Sequence, residues 1–227
     1  MLQDAFDAFN RGDYPAAASL FSTLCEQNNP TAVSSLGYLY QNGLGVEQDY
    51  AKAFEYYSRA AEMDEPTALF NLGLMYAEGV VVAHDQFKAH ELFLRAAVLE
   101  FPQAQFETAL SLERGLGCVQ NFSEAAFWYE EAAKRGHSQA FNNLGVLYKE
   151  GHGVHQDYAR AFICFSRAAG MDLPEGQYNL GLMYDQGFGT DQDHDKALEW
   201  CRKAAYNGHE KAKRIIQGLQ EEGKIVW

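Results

Sequence analysis

Apolar residues return along this chain at helical intervals, and the pattern is itself repeated. At a step of 36 residues (30 to 66, 66 to 102) five blocks align, 30–65, 66–101, 102–137, 138–173 and 174–209. In the first half of each block Leu36, Leu72, Leu144 and Leu180 coincide, followed by Gly37, Gly73, Gly145 and Gly181, while the third block substitutes Thr108 and Ala109. Tyr40, Tyr76, Tyr148 and Tyr184 come next, with Leu112 in the third block. In the second half Ala53, Ala89, Ala125, Ala161 and Ala197 stand four residues ahead of Tyr57, Phe93, Tyr129, Phe165 and Cys201. Alanine pairs from Ala60/Ala61 to Ala204/Ala205 follow them. Spacings of three, four and seven place such residues on one face of a helix. Each block therefore reads as helix A, a glycine loop, helix B and a short turn, a period at which helix pairs stack into solenoids.

The punctuation agrees with the periodicity. Pro30, Pro66, Pro102 and Pro174 open A helices, where the missing amide would have had no intrahelical partner, and Ser138 takes that place in the fourth block. Asp49, Asp85, Asn121, Asp157 and Asp193 precede the B helices and are expected to accept the free amides of the first turn. The paired glycines Gly43/Gly45, Gly115/Gly117, Gly151/Gly153 and Gly187/Gly189 allow positive φ after a helix end. Val81 occupies the second glycine position of the second block, which predicts a different turn there.

Two partial units flank the blocks. Residues 1–29 carry Tyr14, Ala17, Phe21 and Leu24 in B-helix register behind a short helix with Leu2, Ala5, Phe6 and Phe9, closed by Gly12; they are expected to cap the stack. Residues 210–227 begin as another A helix, with Ala212 in register and Ile215, Ile216 and Leu219 available to cover the last apolar face. Lys211, Lys213 and Arg214 would make its outer side basic, and Trp227 is expected to fold back or to join a binding site. The expected fold class is all-α, a stack of antiparallel helix pairs with no interdomain linker.

Segments such as AVSSLGYLYQNGLGVEQDYAKAFEYYSRAAEMDEP (32–66) and AFNNLGVLYKEGHGVHQDYARAFICFSRAAGMD (140–172) resemble Sel1-like repeats, relatives of the tetratricopeptide repeat with a slightly longer unit. The resemblance covers 30–209, and the pair in 1–29 is closer to a plain tetratricopeptide unit. It implies a right-handed superhelical solenoid serving as an adaptor or scaffold in protein complexes. Some bacterial members have been linked to binding or hydrolysing β-lactams, and several to virulence or signalling. Members often carry a cysteine pair in each repeat, which this chain lacks.

Charge narrows the partner. A formal net charge of −13 argues against duplex DNA or an anionic membrane surface, since phosphate binding needs a concentrated basic footprint. It favours solubility and a protein or peptide partner of basic character. The segment MLQDAFDAFNRGDY lacks the positive start and apolar core of a secretory peptide, and no stretch reaches the roughly 18 apolar residues of a membrane span, so cytoplasmic residence is expected unless a targeting segment has been removed. Cys25, Cys118, Cys164 and Cys201 fit no close metal or redox spacing and read as reduced packing residues, with Cys118, in a loop, the most reactive of them.

The resemblance implies that A helices line a concave groove. Carried across by register, the partner-facing candidates are Tyr38 in the first block, Phe70, Leu74 and Glu78 in the second, and Phe106, Leu110 and Glu113 in the third. Asn142, Lys149 and Glu150 follow in the fourth, then Tyr178, Leu182 and Asp185 in the fifth. These vary between blocks while the packing positions stay similar. Aromatic anchors with a polar rim suit recognition of a peptide or partner helix; the competing expectation is that neighbouring A helices cover several of them.

Chemistry is less legible. The chain has no HExxH, no GxxxxGK loop and no SxxK. Asp191, Asp193 and Asp195 lack the glycine and the terminal glutamate of a calcium loop, and His152 with His155 lacks further ligands at helical spacing. No cofactor or metal is expected. The leading expectation is a non-enzymatic interaction module, monomer favoured; the alternative is a small-molecule-binding protein or a hydrolase of β-lactam-like ligands.

Overall fold

The computed structural model describes residues 1–222, and Trp227 lies outside them. The described residues form helices and connecting turns, with no strand among them. The first pair is α1 (Leu2–Asn10) and α2 (Tyr14–Glu26). The blocks contribute α3 (Pro30–Asn42) and α4 (Tyr50–Ala61), α5 (Pro66–Glu78) and α6 (Gln86–Val98), α7 (Pro102–Arg114) and α8 (Phe122–Lys134), α9 (Ser138–Glu150) and α10 (Tyr158–Gly170), and α11 (Pro174–Gln186) and α12 (His194–Tyr206). The last described helix is α13 (Glu210–Glu221). Antiparallel helix pairs stack as an α/α solenoid. The chain divides into two compact units, Met1–Gln120 and Asn121 onward, the boundary falling in the loop of the third block.

The helix starts follow from side-chain chemistry. Asp49 accepts from the amides of Ala51 and Lys52, Asp85 from Lys88, Asn121 from Glu124, Asp157 from Arg160 and Asp193 from Lys196. These first-turn amide bonds, led by those from Lys52 and Lys196, hold the Asp49 and Asp193 carboxyls below their ordinary value. A second set of caps was not foreseen from the residues. Asn29, Glu65, His137 and His209, each one residue before an A helix, accept from the amides of Ala32, Ala68, Ala140 and Ala212. The histidines do so through Nδ1, which requires an unprotonated nitrogen there; burial lowers both their pKa values, in keeping with that role.

In the first, second and fourth blocks one aromatic ring of helix B presses on the glycine of helix A. A methyl group added at Gly37 would lie 3.0 Å from the Tyr57 ring, at Gly73 2.6 Å from Phe93, and at Gly145 2.7 Å from Phe165. Phe165 also packs in one cluster with Leu180 and Met183 of α11, so the ring bridges its own helix A and the next. The tyrosine members satisfy their hydroxyls: Tyr57 donates to Gln41 Oε1 at 2.7 Å, and Tyr129 accepts from Asn143 Nδ2 at 3.0 Å.

Two further devices join successive repeats. Arg59 donates to the Cys25 carbonyl and to Asn28 Oδ1, and Arg95 repeats the same pair of bonds one block later to the Ala61 carbonyl and Asp64 Oδ1. The second loop glycine meets the start of the preceding B helix so closely that a Cβ on Gly45, Gly117, Gly153 or Gly189 would come within 2.3 Å of that helix's backbone.

The second block corrects one expectation. Its loop does not turn differently: Val81 takes φ 68°, the left-handed conformation of its glycine counterparts. A β-branched residue is strained there by roughly 1–3 kcal/mol, and Val81 is 53% exposed, with little packing to offset it. Val81→Gly is expected to raise the unfolding free energy by about 1 kcal/mol, the strain relieved less the greater chain entropy of glycine. Urea unfolding of the two proteins checks it, and an unchanged or lower midpoint would count against the strain.

Candidate interaction surface

The predicted A-helix positions divide according to what covers them. In the first unit Tyr38 is 43% exposed and meets Phe9 edge-on. Phe70 is half-buried, its ring against those of Phe93 and Phe101. Leu74, Phe106, Leu110 and Glu113 are half-buried and Glu78 is exposed. In the second unit Asn142 is 9% exposed, bonded to Asn143 and, through its Oδ1, accepting from Asn179 Nδ2 of the next A helix at 2.8 Å. Its amide joins neighbouring A helices. Lys149 is half-buried beside exposed Glu150. Tyr178 stacks on the His209 ring at 4.3 Å, Leu182 is half-buried, and Asp185 is exposed.

Each unit gathers some of these residues around a cavity. In the first, Ser34 and Tyr38 of α3 join Phe6 and Phe9 of α1 and the capping Glu65 around about 220 Å³. In the second, Tyr178, Leu182 and Asp185 of α11 face His194, Leu198 and Cys201 of α12, and α13 closes the far side with Ile215 and Leu219, around about 380 Å³. The participation of Cys201, His194, Ile215 and Leu219 was not foreseen, although a signal existed: Cys201 is the one non-aromatic residue in the column Tyr57, Phe93, Tyr129, Phe165. Ile215, expected to cover apolar surface, is 42% exposed at this cavity.

Cysteine, histidine and aspartate around one cavity invite comparison with a nucleophile, a base and its orienting carboxylate. His194 Nδ1 does lie 2.9 Å from Asp185 Oδ1. His194 and Cys201 are two turns apart on one helix, however, a rise of about 10 Å, and the His194 side chain is 70% exposed. Burial pushes the Cys201 thiol above its ordinary value, away from thiolate. The arrangement suits binding better than covalent chemistry. Burial likewise pushes Cys25 and Cys164 up to about 11, and Cys118 is half-buried. Among the described residues no three His, Cys, Asp or Glu side chains are grouped to hold a metal, and no helix is long and apolar enough to cross a membrane.

The Sel1 repeat family model matches residues 30–65, 66–97, 102–137, 138–173 and 174–209. The chain belongs to the Sel1 repeat family. Among solved structures, a Sel1 repeat protein from Oxalobacter formigenes is 31% identical, with a TM-score of 0.91 over 98% of this chain and 89% of its own. The protective antigen c5321 of uropathogenic Escherichia coli, displaying an SLR fold, is 32% identical with a TM-score of 0.84; the match spans 91% of this Sel1 chain but 44% of that one. A Sel1 repeat protein from Klebsiella pneumoniae, 20% identical with a TM-score of 0.54 over 89% of this chain and 99% of its own, shares the fold. No curated protein sequence matches the chain. The family's helix-pair solenoid is consistent with a protein-interaction scaffold.

Proposed function

We propose that this Sel1-repeat protein is a non-enzymatic interaction module whose A-helix faces receive a segment of a partner protein. One observation carries the reading: the positions that bind repeat to repeat recur in most blocks, whereas the A-helix positions around the two cavities differ, Tyr38 with Ser34 in one and Tyr178, Leu182 and Asp185 in the other. A surface built for packing alone would have no reason to vary while its framework repeats. The net charge of −13, with Glu78, Glu150 and Asp185 exposed on these helices, supports a basic segment as the ligand.

The test is selection of peptides from a random display library on the intact chain, followed by affinity measurement. Tyr38→Ala and Leu182→Ala are each expected to weaken the selected peptide about tenfold or more where it crosses that side chain. Glu78→Lys with Glu150→Lys is expected to weaken a basic peptide by a similar factor and to flatten its salt dependence. Peptides that bind equally well to all variants would remove the A-helix face as the working surface.

A further inference from the structure

The cavity between α11, α12 and α13 has the place and lining of a missing aromatic ring. In the other blocks the equivalent space is filled by the chain's own Tyr57, Phe93, Tyr129 or Phe165, each 3% exposed or less. Phe165 lies between the glycine of its own A helix and the apolar face of the next. In the fifth block all the walls remain. Gly181 still stands where the ring would press, and its nearest outside neighbours are the Ala197 carbonyl and the Cys201 amide rather than a ring. Leu219 of α13 stands 36 residues after Met183, in the register position that Met183 holds over Phe165. The ring is absent, replaced by the small side chain of Cys201, which lines the cavity of about 380 Å³.

The rim adds a polar requirement. In the first repeat the Tyr57 hydroxyl donates to Gln41 Oε1. Four blocks later the register position of Gln41 is Asp185, whose carboxylate lines this cavity and, beyond its contact with His194, keeps acceptor capacity. A phenol seated as Tyr57 is seated would donate its hydroxyl to Asp185.

We infer that this cavity is a socket for a tyrosine side chain of the partner segment, its ring filling the Gly181–Cys201–Leu219 space and its hydroxyl donating to Asp185. The inference rests on the interaction-module reading and locates its anchor, since Tyr178, Leu182 and Asp185 belong both to the A-helix face and to the socket. The buried ring and its satisfied hydroxyl are what an interface anchor requires.

Two probes test it on the intact chain, p-cresol and toluene, followed by methyl NMR. p-Cresol is expected to shift the methyl signals of Leu182, Leu198 and Leu219 saturably, with toluene about tenfold weaker for lack of the hydroxyl. Asp185→Ala, at an exposed position, is expected to erase that preference. Cys201→Phe supplies the ring in cis: it should abolish p-cresol binding and raise Tm by a few degrees. A display-selected peptide should compete with p-cresol and lose at least tenfold on Tyr→Ala substitution within it.

Several results would overturn the socket. They are equal binding of toluene, shifts elsewhere on the chain, nuclear Overhauser contacts from Trp227 to these methyls in the ligand-free protein, or p-cresol binding that no tyrosine peptide displaces. A peptide that needs Leu182 but is indifferent to Cys201→Phe would overturn the socket while leaving the interaction-module reading in place. Failure of every selected peptide, with p-cresol still bound, would remove the broader reading and with it the tyrosine partner.

Discussion

Gly117→Ala is expected to destabilise the protein by about 3 kcal/mol, and Gly115→Ala, two residues earlier, by only about 1 kcal/mol. Both glycines have the same backbone conformation, φ 68° and 70°. Their surroundings differ. A Cβ on Gly115 would be no closer than 3.6 Å to its neighbours, whereas one on Gly117 would fall 1.9 Å from the Gln86 carbonyl oxygen at the start of α6. The first substitution must therefore push the loop off the preceding repeat, and the second strains only the turn. Val81 at the register position shows that a loop of this kind can adjust, so the difference measures the energy of that adjustment. Urea unfolding followed by circular dichroism compares the pair, and equal losses would mean that the loop contact contributes nothing to stacking.

Tyr57→Ala should cost about 4 kcal/mol and Tyr57→Phe about 1 kcal/mol. The side chain is fully buried, its ring against Gly37, and its hydroxyl donates to Gln41. Alanine leaves a ring-sized void that a rigid helix pair cannot close; phenylalanine leaves only an unmet acceptor in half-buried Gln41. Repeat arrays are stabilised by local and nearest-neighbour interactions, so the loss should be concentrated nearby. Amide exchange is expected to accelerate first in α3, α4 and α5, with α9 to α12 less affected. Uniform acceleration along the chain would contradict nearest-neighbour coupling.

The helices, their caps and the glycine contacts were legible because each is written in a local signal that recurs. Asp157 before Tyr158, Pro174 at a helix start and Gly145 twenty residues before Phe165 carry their structural meaning within one block. At Val81 a missing glycine suggests a changed turn, whereas the loop keeps its left-handed conformation and valine bears the strain. The caps at Glu65, His137 and His209 were harder to see because the residue type changes from block to block while the hydrogen bond does not. Surface exposure was least legible. Register placed Phe70 and Tyr38 alike, but the rings of Phe101 and Phe93 lie against one, which is half-buried, and Phe9 meets the other edge-on and leaves it 43% exposed, a difference made by neighbours on separate helices. The cavity at Cys201 was visible in the sequence only as one break in an aromatic column, and its volume depends on α13 standing opposite.

The most direct measurement is a methyl and amide NMR footprint of the intact chain with a display-selected peptide. A-helix signals should shift, that of Tyr38 for a peptide seated on the first unit or those of Tyr178, Leu182 and Asp185 for one seated on the second, with those of the exposed B-helix residues Phe127, Ile163 and Tyr206 unmoved. A footprint centred on those B-helix residues, with the A-helix signals unchanged, would contradict the account.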